Sequence, residues 1–210
     1  FIQHIALPYI GTYGMEMILL LADMVNVLDG SGFEIPQPII DVLPDWILKT
    51  YIPAIHNGEL LWMYMGRATH SNQCHAARLC LLNMFDCSKL ITDEAVRTQI
   101  QNACVNIYRH AQQFASPYAT LSPAPLYIPR IDAMLSHDIP NFEGNSFSIV
   151  QAAGDRLIHQ CPSWRFGLAM SSNRIGKYEA RISPLGNENI FGWYISDGMT
   201  YVYNNHDHLQ

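Results

Sequence analysis

Apolar positions recur with helical spacing along the first two thirds of the chain, and along the last third they fall in short runs separated by glycine and polar residues. Residues 12–28 are apolar nearly all round and stop at Asp29-Gly30-Ser31-Gly32, which predicts a core helix. Pro36 and Pro38 open a second helix, Ile39 to about Tyr51, with Pro44 as a kink and Pro53 as its end. An Asn57-Gly58 turn leads into Glu59–Arg67, a segment too brief to assign. Helices are predicted over Gln73–Asp86 and from Glu94 to about Phe114, the latter opened by an acidic first turn that suits the helix dipole. Pro123, Pro125 and Pro129 then break the chain, which leaves Arg130–Leu135 as one short helix and Ile139–Gly144 as a connection. Strands are predicted at Ser146–Val150, Asp155–Gln160, Trp164–Met170, Arg174–Ala180, Ile190–Ile195 and Met199–Tyr203, forming an antiparallel sheet. Helices followed by strands, without interleaving, predict an α+β chain of two units, 1–144 and 145–210, and argue against a parallel α/β fold.

Composition narrows this picture. With 210 residues, 49 % of them hydrophobic and 14 % charged, the chain can bury a sizeable core. The formal net charge is −6 and no basic run occurs, so nothing points to nucleic acid; a polyanionic ligand needs a local basic patch. Met15–Leu28 is interrupted by Glu16, Asp23 and Asn26 and reads as a buried helix, too short and too polar to span a bilayer. No signal peptide is visible, and because the chain opens on Phe1 inside a functional-looking segment, the start of the gene product is expected to lie upstream. The five cysteines, Cys74, Cys80, Cys87, Cys104 and Cys161, contain no C-x-x-C pair; free buried thiols are expected, with a Cys87–Cys104 bridge as the alternative.

The candidate chemistry starts at the first loop. His4 and Tyr13 stand on either side of a segment broken by Pro8 and Gly11, so an imidazole and a phenol can fold back toward one another at the mouth of the first long helix, whose N-terminus favours negative charge. Taken alone, such a pair is ordinary structure. Arg67, after Gly66 and beside an apolar run, is a candidate anion fork, or else a capping or surface arginine. His70, Cys74 and His75 resemble a metal motif at first glance, but no fourth ligand lies near, and a structural reading is preferred.

Several motifs in register then point one way. Met170-Ser-Ser-Asn-Arg-Ile-Gly-Lys-Tyr-Glu179, then Asn187-Glu188-Asn189, then Gly192-Trp-Tyr-Ile-Ser-Asp-Gly-Met-Thr-Tyr-Val-Tyr-Asn204 resemble the signature of polysaccharide lyase family 8. Upstream, His4 with Tyr9-Ile-Gly-Thr-Tyr13-Gly14, and Asn57-Gly58 through Gly66-Arg67, resemble further segments of that family in the same order. The resemblance implies the C-terminal part of an (α/α) toroid followed by the start of an antiparallel β-sandwich domain, secreted, and cutting an acidic, uronate-containing polysaccharide by β-elimination with no metal and no organic cofactor.

Carried over to this sequence, the resemblance implies Tyr13 as base and then acid, His4 beside the substrate carboxylate and C5, Arg67 holding the phenol oxygen, and Glu179 orienting Arg67. Two departures matter. Ser71 stands where the family carries a second arginine, so His70 or Arg78 is expected to substitute, and the link between Glu179 and Asn189 is long, which makes Asn187 the expected substrate-binding amide. The family's carboxylate-clamping asparagine would lie upstream of His4. The chain is therefore expected to be an internal piece whose cleft is completed by N- and C-terminal segments of the same enzyme. A non-catalytic carbohydrate-binding or structural relative is the alternative reading.

Overall fold

The structure is a computed structural model, and it describes residues 2–4, 6–70, 77–113, 124–140, 146–184 and 186–204. In chain order the first elements are β1 (Ile2–Gln3), β2 (Leu7–Pro8), a wide turn at Ile10–Gly14, α1 (Met15–Leu28), α2 (Gln37–Trp46), α3 (Ile52–Ala54), β3 (Ile55–His56) and β4 (Glu59–Leu60). They are followed by α4 (Ala77–Cys87), α5 (Glu94–Ala111), α6 (Ala124–Leu135), β5 (Phe147–Gln151), β6 (Arg156–Gln160), β7 (Trp164–Ala169) and β8 (Met199–Asn204). The chain divides into a helical unit, Met15–Gly58 with Ala76–Phe142, and a sheet unit, Phe1–Gly14 with Glu59–His75 and Glu143–Gln210. The late boundary falls between Phe142 and Glu143. The sheet unit differs from 145–210 in also taking two early segments, and those carry His4, Tyr13 and Arg67.

In the helical unit α4 is central. Ala77, Cys80, Leu81, Leu82, Met84, Phe85 and Cys87 are buried on all its sides because α1, α5 and α6 pack around it. α1 offers Ile18, Leu21, Ala22 and Val25, the i, i+3, i+4, i+7 spacing of one face. Asp93 caps α5, its carboxylate accepting from the Ala95 and Val96 N–H groups, and Arg109 and His110 occupy the last turn where the dipole favours cations. Cys80, Cys87 and Cys104 are free and buried, as expected of core thiols, and burial pushes all three thiols up in pKa, Cys87 to about 12.

Three boundaries differ from the sequence reading. α6 runs from Ala124 and not from Arg130: Pro125 sits in its first turn, where an N–H would be unpaired anyway, and Pro129 is absorbed inside. Pro44 lies within α2, which continues as a wider turn at Ile47–Tyr51. The helix read as 12–28 begins at Met15, because Gly11 (ψ 152°) and Thr12 (φ 57°) are not helical. Counted through that bend, Ile10–Leu28 is apolar enough over 19 residues to cross a membrane by length and composition. The regular helix is only the 14 residues Met15–Leu28, with Glu16 and Asp23 along it.

In the sheet unit β5-β6-β7-β8 form an antiparallel meander, with Ile149 opposite Ile158, Ile158 opposite Gly167, and Phe166 opposite Val202. Alternation buries Arg156, Ile158 and Gln160 of β6 on one face. The buried Arg156 guanidinium is satisfied by the Gly154 and Met170 carbonyls at 3.0 and 2.8 Å and by the Ser196 hydroxyl at 2.7 Å. The four strands match the sequence reading to within about a residue. Two predicted strands do not form. Ser172 and Ile175 make only an isolated bridge, and Gly176 then packs its backbone on the first hairpin, its N–H donating to the Ala6 carbonyl at 2.6 Å. Ile190–Ile195 curls into a tight turn around Gly192–Tyr194. Residues 170–198 therefore form one long excursion between β7 and β8.

Candidate active site

Every residue of the cluster around Arg67 belongs to the sheet unit. His4 lies in the turn after β1 with φ 48°, a left-handed conformation that turns the chain back for β2 to pair with β1. Tyr9 immediately precedes the Ile10–Gly14 turn and Tyr13 lies within it. Gly11 lets that turn lie on the Tyr64–Met65 backbone, since a Cβ there would stand 2.9 Å from the Tyr64 carbonyl oxygen. Gly66 adopts φ +55°, and a Cβ on it would fall inside the Tyr9 ring, so only glycine brings the Arg67 backbone against that phenol.

The result is a knot with Arg67 at its centre. Its Nε donates to Glu188 Oε2 at 2.6 Å, its Nη1 to Glu179 Oε2 at 3.0 Å, and its Nη2 reaches Tyr13 Oη at 3.5 Å. Its backbone N–H donates to Tyr9 Oη at 3.0 Å, and the Tyr9 hydroxyl donates to Glu179 Oε2 at 2.8 Å. The other Glu179 oxygen lies 2.5 Å from His4 Nδ1. The rings of His4, Tyr9 and Tyr13 meet edge to face, with centroids 4.8–5.3 Å apart.

Electrostatics follow from this packing. Burial alone would raise the Glu179 pKa, but hydrogen bonds from Tyr9, His4 and Arg67 outweigh it and hold the carboxylate below its ordinary value. Burial pushes Tyr9 up to about 12, against the Arg67 N–H and with the help of Glu179, so Tyr9 stays a neutral donor. Arg67 is held firmly protonated, first by its bond to Tyr13. The knot therefore presents one fixed cation between two carboxylates, with the half-exposed Tyr13 phenol and His4 imidazole at its rim. Among the described residues no group of three or more His, Cys, Asp or Glu side chains is arranged to hold a metal ion.

The structure thus brings His4, Tyr13, Arg67 and Glu179 together. Asn187 is exposed and lines a neighbouring cavity of about 510 Å³. Arg78 belongs to the helical unit, where it is 2 % exposed and Nη2 points to the Ala111 carbonyl at 3.5 Å; a side chain buried in that way does not present itself to a polymer, which corrects its expected binding role. The His70 side chain and residues 71–76, including Ser71, Cys74 and His75, lie outside the described residues.

Sequence reasoning missed Tyr9, Glu188 and Asn189. Asn189 donates to the Glu179 carbonyl at 2.9 Å and its Oδ1 lies 3.4 Å from Thr69 Oγ1. The signal for Glu188 and Asn189 was their place in the Asn-Glu-Asn motif, and for Tyr9 its place at the head of the Tyr9-Ile-Gly-Thr-Tyr13-Gly14 segment.

The family model for the polysaccharide lyase family 8 N-terminal alpha-helical domain matches residues 1–106, and that for the family's super-sandwich domain matches residues 148–210. The chain is 28 % identical to the xanthan lyase of Bacillus sp. (strain GL1), with 97 % of this chain and 22 % of that protein aligned. It is 28 % identical to the hyaluronate lyase of Thermasporomyces composti, over 96 % of this chain and 26 % of that protein. The solved structure of Paenibacillus xanthan lyase superimposes with a TM-score of 0.84 at 28 % identity, covering 98 % of this chain and 19 % of that one. The chain spans about a quarter of the length of the curated relatives it matches.

Proposed function

The chain belongs to polysaccharide lyase family 8, and from that premise we propose that it carries the catalytic cluster of an extracellular lyase that cleaves an acidic, uronate-containing polysaccharide such as hyaluronan or chondroitin by β-elimination. The observation that carries this reading is the single guanidinium of Arg67, which reaches Glu179, Glu188 and Tyr13 at once, with His4 beside it at 3.3 Å. In the same reading the helices are part of an (α/α) toroid (1–144), the four-stranded sheet opens a β-sandwich (145–210), and flanking segments of the same enzyme complete the cleft. A polymer substrate that cannot enter a cell accounts for the extracellular location.

The chemistry asks for few groups. The C5 proton of a uronate is very weakly acidic, because its removal places negative charge beside a carboxylate; a cation and hydrogen-bond donors near that carboxylate lower the cost. His4, on the rim beside Arg67, is suited to that contact. The deprotonated Tyr13 oxygen takes the C5 proton, the C5–H electrons form the C4=C5 bond, and the C4–O bond breaks. Tyr13 then returns the proton to the leaving glycosidic oxygen, so it ends as it began. Glu179 and Glu188 hold Arg67 in place throughout and do not touch the sugar. Asn187, exposed beside the cluster, supplies an amide to the polymer.

The test uses the intact gene product with hyaluronan, chondroitin and xanthan, following the ultraviolet absorbance of the unsaturated end. Tyr13→Phe is expected to cut product formation by roughly 10³-fold with an unchanged unfolding midpoint. Normal product formation by that variant would overturn the assignment. Polymer binding by the parent protein without any unsaturated product would favour a non-catalytic carbohydrate-binding relative.

A further inference from the structure

One face of the four-stranded sheet carries a nucleophile for which the lyase reading has no use. Alternation along β6 buries Arg156, Ile158 and Gln160 and leaves His159 half-buried on the opposite face, with Cys161 two residues further on. The β5–β6 register sets Ser148 directly across from His159. Three polar side chains thereby meet in a row: Cys161 Sγ lies 3.2 Å from His159 Nε2, and Ser148 Oγ lies 2.8 Å from His159 Nδ1. The Trp164 ring stands beside the imidazole, with centroids 5.3 Å apart.

Cys161 differs from the other described cysteines. Cys80, Cys87 and Cys104 are buried in the helical unit, whereas Cys161 is free and partly exposed at the β6–β7 hairpin, next to exposed Pro162, Ser163 and Trp164. Its backbone is fixed on both sides. The N–H donates to the Trp164 carbonyl at 2.8 Å, and the carbonyl accepts from the Gln160 side-chain amide, whose oxygen in turn accepts from buried Arg165. The sulfur is therefore held against the imidazole while the residue stays within reach of solvent.

A thiol, a base within hydrogen-bond reach and a third group that orients the base are the parts of an activated nucleophile. All three are satisfied when Nδ1–H donates to the Ser148 hydroxyl and Nε2 accepts from the Cys161 thiol. We propose that Cys161 is a nucleophilic thiol that exchanges with small-molecule disulfides, with His159 as its base and Ser148 as a positioning residue. The sulfur attacks one sulfur of the disulfide while its proton passes to His159 Nε2. The new S–S bond to Cys161 forms as the old S–S bond breaks, and the departing thiolate takes the proton back from the imidazolium. One thiol and one disulfide are consumed, and one thiol and one mixed disulfide result. Acyl transfer is disfavoured, because it needs donors for an oxyanion beside the sulfur and the Cys161 N–H is already spent on the Trp164 carbonyl. No residue of the Arg67 cluster takes part, so this site stands or falls apart from the lyase reading.

The test treats the intact gene product with glutathione disulfide at pH 7, measuring released thiol and locating the adduct by mass spectrometry of the digested protein. One glutathione is expected on Cys161, with one equivalent of thiol released, about tenfold faster than on N-acetylcysteine. His159→Gln should slow that reaction by about tenfold and Ser148→Ala by about threefold, while Ser148→Thr, which keeps the hydroxyl, restores the parent rate. In urea the parent and the variants should all react alike, since the advantage belongs to the folded geometry. If His159→Gln does not fold, the exposed Ser148 position decides. No adduct on Cys161, a rate no greater than that of N-acetylcysteine, or parent rates in both folded His159→Gln and Ser148→Ala overturn the proposal.

Discussion

Asp86 in the helical unit and Glu179 in the sheet unit are both carboxylates gripped by an arginine, and the two grips are built to different ends. Asp86 accepts from Lys89 at 2.8 Å, from Arg130 at 2.7 Å and from Asn26 at 3.2 Å, and Arg130 also donates to Asn83 at 3.0 Å. Those partners come from α1, α4, α6 and the turn after α4, and the Asp86 side chain is 5 % exposed. Burial alone would raise the Asp86 pKa, and the hydrogen bonds from Lys89, Asn26 and Arg130 reverse it. Glu179 is held as firmly, but by groups from loops far apart in sequence, and it keeps a fifth of its side chain exposed. A charge pair closed on every side ties helices together. One left open on a side, with a phenol and an imidazole at the opening, has a face to turn toward a ligand.

The sharpest way to break that contrast is to remove each centre in turn. Arg67→Met is expected to cut polymer cleavage by about 10²–10³-fold with a smaller effect on folding, because the residues it contacts remain partly solvated. Asp86→Ala is expected to do the opposite: roughly 3–5 kcal/mol of stability lost in urea unfolding, as Arg130 and Lys89 lose the carboxylate between them, and unchanged cleavage per folded molecule. An Asp86 variant as stable as the parent would erase the distinction. Tyr9→Phe tests whether the open knot depends on its buried floor. Loss of the acceptor for the Arg67 N–H and of a donor to Glu179 should cost about 1–3 kcal/mol, and kcat should fall more than KM rises, since only the placement of Arg67 changes.

The smallest effect is in pH. Glu179 and Asp86 both have folded-state values below their ordinary 4.5 and 3.8, so the unfolded chain takes up these protons first as pH falls. Their contribution is complete above about pH 4.5 and is lost as pH drops through the lower folded values. Unfolding midpoints measured from pH 7 to pH 3 should therefore hold and then fall, with Glu179→Gln flattening the upper part of the fall and Asp86→Asn the lower part. A decline already present between pH 7 and 5 would contradict this origin.

The sequence was most legible where one periodicity ruled. Strands β5 to β8 alternate, and α4 and α5 keep helical spacing, so tertiary packing only confirmed what local pattern required. Ile190–Ile195 has the same aromatic, β-branched composition as a strand, yet Gly192 fits there because its missing Cβ makes room for the Asn189 side chain, and the turn follows from that contact. No window of sequence contains it. Arg174–Ala180 was drawn off its strand by Gly176 packing on Leu7, a neighbour almost the whole chain away. The site was divided in the same way. His4, Tyr13, Arg67 and Glu179 could be named because motifs in register marked them. Tyr9 stands in the same motif as Tyr13, but its role was not legible, because its partner is a backbone N–H whose position depends on the left-handed turn at Gly66. Arg78 was misjudged because a cation in an amphipathic run looks available until a helix packs over it.

The Tyr9 ring standing where a methyl group at residue 66 would go has a consequence for how such a site can change. No side chain, however small, can be accepted at 66 without displacing the Tyr9 ring, whose hydroxyl receives the Arg67 N–H, so the centre of the knot is closed to gradual variation. The exposed positions Ile182, Phe191 and Tyr194 carry no such clash. Variation in what this scaffold grips, natural or selected in the laboratory, is thereby channelled into such exposed positions, and a library aimed at a new polymer belongs there.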